Sequence, residues 1–76
     1  MSIENSVKQI IEEQLGCKTE SVRTEASLRD DLMADSMDLN NIWMELEEQF
    51  KIEIPPSDAE KLDTVKDVIE YIKKRL

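Results

Sequence analysis

Residues 35–50 read Asp35-Ser36-Met37-Asp38-Leu39-Asn40-Asn41-Ile42-Trp43-Met44-Glu45-Leu46-Glu47-Glu48-Gln49-Phe50, and this stretch decides the fold. Leu39, Ile42, Trp43, Leu46 and Phe50 stand at i, i+3, i+4, i+7 and i+11. On a helix that spacing makes one apolar stripe, which predicts a core-facing surface. Asp35 is placed to cap the start, and Asp38 puts a negative charge in the first turn, where the helix dipole favours one. Ser36, Asn40 and Glu47 fall to one side of the stripe, while Met37, Asn41, Met44 and Glu48 fall nearly opposite its centre. Apolar Met37 and Met44 are therefore expected in solvent within an acidic surface. Single exposed methionines need no explanation. Next to Glu47 and Glu48, however, an adaptable thioether surface fits the docking of partners that bring basic residues.

Upstream, Ile3, Val7, Ile10, Ile11 and Leu15 recur at helical spacing, with Ser2 as cap and Gly16 as a left-handed stop. From Cys17 to Asp35 no period holds, although Val22, Leu28 and Leu32 could pin the segment to a core. So long a connection in a small domain is either functional or contains a short helical turn. Downstream, Ile54-Pro55-Pro56 ends the pattern, and Ser57 to Leu62 has room for a short helix with Pro56 near its start. Thr64 and Asp67 have capping-box spacing before Val65, Val68, Ile69, Ile72 and Leu76, which form the stripe of a last helix. Lys73, Lys74 and Arg75 suit its C-terminal end. With no strand alternation or repeat to compete, residues 1–76 are predicted to form a single all-α domain. It is a small four-helix bundle with three longer helices, one short third helix and a long loop between helices 1 and 2.

Composition narrows the function. A chain of 76 residues leaves little room for an enclosed catalytic cleft. It has no histidine, and its single Cys17 lacks both a disulfide partner and a base, so no catalytic residue is expected. Asp30, Asp31, Asp35 and Asp38 lack the glycine and terminal glutamate of a calcium loop, so no metal site is expected. The net charge of −8 is concentrated: residues 30–60 hold ten acidic residues against Lys51 alone. Such a surface repels nucleic acid and anionic headgroups, yet steers basic protein patches toward it. Neither a signal peptide nor a membrane span is expected, so a cytoplasmic monomer without membrane insertion is anticipated.

Asp35-Ser36-Met37-Asp38 closely resembles the Asp-Ser-Leu-Asp motif that opens the second helix of acyl carrier proteins. Alone, an Asp-Ser pair reads as a helix cap. The resemblance continues through Ser2 to Gly16, Asp31-Leu32, Leu46-Glu47-Glu48-Gln49-Phe50, Glu53-Ile54-Pro55, Ala59-Glu60-Lys61-Leu62 and Thr64 to Ile72, so it spans nearly the whole chain. It implies that a phosphopantetheinyl transferase moves 4'-phosphopantetheine from coenzyme A to Ser36, with Asp35 and Asp38 serving recognition. The arm then carries acyl groups as thioesters for fatty-acid or related lipid synthesis, either generally or as a specialised second copy dedicated to one pathway. Polyketide, aminoacyl and D-alanyl carriers share this chemistry. From another class, an unmodified acidic interaction domain would share only the surface.

The same resemblance implies docking of acyl-transfer and lipid-synthesis enzymes through basic patches on Met37, Met44, Glu47 and Glu48. It also implies an acyl pocket at Trp43, Leu46, Phe50, Ile54 and Leu62. Departures from the family pattern are Met33 for a glycine, Asn40 and Asn41 for an apolar residue and an acid, and Trp43 and Pro56 for a smaller aliphatic and an acid.

Overall fold

A computed structural model describes residues 2–76. It comprises α1 (Ile3–Leu15), α2 (Ser36–Phe50), α3 (Pro56–Ala59) and α4 (Val65–Arg75), with a 3-10 turn at Thr19–Ser21. Each long helix starts on the side chain its sequence offers. Ser2 accepts from the Asn5 N–H at 3.1 Å. Asp35 and Thr64 head capping boxes closed by Asp38 and Asp67. Gly16 ends α1 at φ 64°, its N–H donating to the Glu12 carbonyl at 2.8 Å. A Cβ there would meet nothing within 4 Å, so the glycine answers a backbone need rather than a packing one.

The apolar stripes meet in one core. Val7 and Ile11 of α1, Ile42 and Leu46 of α2, and Val68 and Ile72 of α4 are fully buried. Burying each such side chain contributes about 1.5–3 kcal/mol. α1 packs against both α2 and α4. Phe50 is only partly buried at the far end of the α2 stripe. Leu76, expected on the α4 stripe, instead lies past the end of the helix and is 63% exposed, because α4 stops at Arg75.

The long connection is fastened rather than loose. Val22 and Leu28 are buried, and Leu32 packs against the core. The segment around Ser27 pairs antiparallel with the start of α4: Leu28 N–H donates to the Asp63 carbonyl at 2.8 Å and Val65 N–H to the Ala26 carbonyl at 3.0 Å. Buried Ser27 is satisfied on both sides, its hydroxyl donating to Asp63 Oδ1 at 2.8 Å and accepting from Asp30 N–H at 3.1 Å.

The third helix begins one residue earlier than expected and is shorter, with Pro56 at its first position and turn structure up to Lys61. Proline has no N–H to leave unpaired at that position, which is why it starts the helix rather than preceding it. Asp58 ties α3 to α4, accepting from the Tyr71 hydroxyl at 2.7 Å and from Arg75 at 3.0 Å. The Arg75 guanidinium also lies 4.6 Å from the Tyr71 ring centroid. Partial burial, together with the Asp58 hydrogen bond, holds the Tyr71 phenol above its usual pKa. Among the described residues no helix is long and apolar enough to cross a membrane.

Candidate functional site

Ser36 is the first residue of α2, and its side chain is exposed. The capping work is done by its neighbours: Asp35 Oδ1 accepts from Asp38 N–H at 2.9 Å, and Asp38 Oδ2 accepts from Asp35 N–H at 3.4 Å. The Ser36 hydroxyl is thus presented beside a helix start without being needed to hold that start together. Asp35 is exposed and Asp38 half-buried, so both carboxylates reach the surface next to it.

Ser36 opens onto a cleft of about 370 Å³ between α2 and α3. From α2 the walls are Ser36, Leu39, Asn40, Trp43, Met44 and Glu47, and from the other side Arg29, Ile54, Pro56, Ala59 and Glu60. Leu39, Trp43, Ile54 and Ala59 are buried, giving the cleft an apolar floor, while Arg29, Asn40, Glu60 and half-buried Glu47 give it a polar rim. Arg29, the only cation on it among the described residues, is held from behind by the Leu62 carbonyl at 3.2 Å and by Asp63 at 3.7 Å.

Of the five residues expected along an acyl pocket, Trp43 and Ile54 border this cleft. Leu46, Phe50 and Leu62 do not line it. Leu46 is fully buried and Leu62 buried in the core, and Phe50 packs partly buried against it. The reason is angular: the cleft lies on the Ser36, Asn40 and Glu47 flank of α2, whereas Leu46 sits at the centre of the stripe. Met37 and Met44 are 73% and 64% exposed, and Glu48 is exposed on the same side of the helix.

Glu47 is different in kind from Glu48. Its Oε2 accepts from the Ile54 N–H at 2.8 Å, which secures the chain between α2 and α3 and so the cleft's width. Asn40, read from the sequence onto the Ser36 flank of α2, also borders the cleft, as do Arg29, Pro56, Ala59 and Glu60, whose own stretches do not mark them as site residues. Arg29 reaches it only because the Ser27 segment is paired to α4, and no local pattern carries that information. Cys17, half-buried after α1, has its thiol pKa pushed up by burial, which lowers its thiolate content.

The family described as "Phosphopantetheine attachment site" matches residues 5–72. The acyl carrier protein of Bdellovibrio bacteriovorus is 52% identical over 75 residues, covering 99% of this chain and 96% of that one. In three dimensions, a candidate acyl carrier protein from Mycobacterium tuberculosis superposes with a TM-score of 0.90 at 30% identity, over 96% of this chain and 97% of that one. Sequence and architecture agree along nearly the full length, so the chain belongs to the acyl carrier protein family, with phosphopantetheine as its cofactor and a carrier's role rather than a catalyst's.

Proposed function

We propose that Ser36 takes the phosphopantetheine arm and that the chain, a single domain, carries acyl groups for fatty-acid or related lipid synthesis in the cytoplasm. The observation that carries this reading is an exposed Ser36 at the head of α2, released from capping by Asp35 and Asp38 and standing at the mouth of the cleft. In the modification, the Ser36 oxygen loses its proton to the transferase and attacks the phosphorus of coenzyme A that bears the pantetheine. A new Oγ–P bond forms, the P–O bond within the pyrophosphate breaks, and the adenosine bisphosphate leaves.

The residues present suit the attached group. The first turn of α2 offers backbone amides and the positive end of the dipole to a phosphodiester. The rim residues Arg29 and Asn40 can bond the amide portion of the arm, and the floor of Leu39, Trp43, Ile54 and Ala59 can meet apolar cargo. When bound, the arm supplies a terminal thiol that holds cargo as a thioester, while the protein supplies location and recognition. Asp35 and Asp38 oppose the phosphodiester's charge locally, which points to a role in enzyme recognition rather than in steadying the arm.

The test is intact mass after incubation with a phosphopantetheinyl transferase and coenzyme A. One phosphopantetheine should add to the wild type and none to Ser36→Ala, which should remain helical and fold cooperatively. Because Asp35 is the cap, an alanine at this exposed helical position should cost well under ~1 kcal/mol. An unmodified wild type would exclude the carrier role.

A further inference from the structure

Met33 stands three residues before Ser36, is 78% exposed, and holds φ at 60°. That left-handed conformation penalises any residue with a Cβ and is free to glycine. The loop carrying it is rigidly placed, with Leu32 N–H donating to the Ser27 carbonyl at 3.0 Å and Ala34 N–H to the Leu28 carbonyl at 2.8 Å. The fold therefore bears a strained backbone to display a large apolar side chain that it hardly buries. Lys51 shares this conformation and only caps a helix. At position 33, however, the exposed side chain is apolar and lies three residues from Ser36, next in line with exposed Met37, so it is available to a partner that reaches Ser36.

We propose that Met33 is a docking contact for the phosphopantetheinyl transferase, forming with Met37 an apolar collar on either side of Ser36; this rests on the carrier reading above. The transferase is the occupant because it is the partner whose reacting atoms must reach the Ser36 hydroxyl itself. Enzymes that act on cargo work at the far end of the arm. Charge agrees: among the described residues no lysine or arginine is within ion-pairing distance of Asp30, Asp31, Asp35 or Asp38. An enzyme that binds coenzyme A, a polyanion, presents cations around its active site, and these carboxylates would meet them. Methionine suits such a surface because its unbranched side chain adapts to an imperfect socket.

The experiment measures kcat/KM for arm transfer to the apo protein, together with thermal stability, for the wild type and for Met33→Gly, Met33→Asn and Met33→Leu. Met33→Gly should melt higher, yet take the arm with kcat/KM reduced by on the order of fivefold, mainly through KM. Met33→Asn, polar but tolerant of the left-handed conformation, should be equally slow, which separates loss of contact from loop flexibility. Met33→Leu should retain near wild-type transfer. Wild-type kcat/KM in the Gly and Asn variants, or a Leu variant as slow as they are, would overturn the role of the side chain. A wild type that takes no arm at all would instead overturn the carrier reading, and this proposal with it.

Discussion

At the scale of single residues, the backbone separates positions that serve the fold from positions that do not. Lys51 ends α2 at φ 55°, in the same left-handed region as Gly16, and its N–H donates to the Glu47 carbonyl. Its side chain is exposed, so the cap is made by the backbone alone. Replacing it with glycine removes a penalty of roughly 1–2 kcal/mol and adds back part of that as unfolded-state entropy. Lys51→Gly should therefore stabilise the protein by about 0.5–1 kcal/mol, read as a raised denaturant midpoint with unchanged slope. A midpoint that stays put or falls would show that the lysine makes compensating contacts. Ser36 shows the converse case, since its proposed role was expected from a resemblance spanning nearly the whole chain, whereas its freedom from capping required the geometry of Asp35 and Asp38.

At the scale of elements, two neighbouring glutamates of α2 part company. Glu47 secures Ile54 N–H at 2.8 Å, while Glu48 is exposed. Glu47→Ala should cost about 1–2 kcal/mol by leaving a part-buried donor unpaired, and amide exchange at Ile54 should quicken. Glu48→Lys should stay within about 0.5 kcal/mol of wild type while weakening transfer to a cognate enzyme, more so at low salt. Equal stability losses in both would contradict this division. In α4 the Asp67 carboxylate accepts from the N–H groups of Thr64 at 3.1 Å and Asp63 at 3.2 Å, and these bonds hold its pKa below the usual aspartate value. A depressed folded-state pKa means stability that is present above the unfolded value and is lost as the pH falls through the folded one. As the pH falls below the usual aspartate range, wild type should thus lose more stability than Asp67→Asn, and parallel acid-unfolding curves would refute the assignment. These helices could be read from the sequence because period and caps are local. The segment from Cys17 to Asp35 could not, because its fastening to Asp63 and Val65 depends on residues far along the chain. For the same reason the Met37, Met44 and Ser36 faces were legible, while Arg29 and Ala59 entered the cleft only through tertiary structure.

At the scale of the whole molecule, the chain has a radius of gyration of 11.0 Å and one small core, which under the proposed function would have both to hold the helices together and to receive cargo. The acidic residues gather in the central stretch that builds α2, α3 and the cleft, so under the proposed function enzyme recognition and cargo entry would share one side of the charge distribution. Any acyl chain that leaves water there gains about 0.8 kcal/mol per buried methylene. It must find that room against side chains already packed to interior density. Trp43 is the largest of those on the cleft and is only 8% exposed, with Leu39, Ile54 and Ala59 as its neighbours on the floor. An indole at this position fills volume that a chain would otherwise use, so it should limit the length of cargo the protein can shelter. Loading successively longer acyl chains onto the arm should shift Trp43 emission up to that length and no further. Trp43→Val should extend the range of chain lengths protected from thioesterase attack, at a stability cost of about 2–4 kcal/mol that a native domain can bear. Trp43→Leu is the milder companion, in which protection should extend less. Emission that is the same for the holo form and every acyl form, with protection unchanged in both variants, would mean that Trp43 only fills the core and that cargo lies elsewhere.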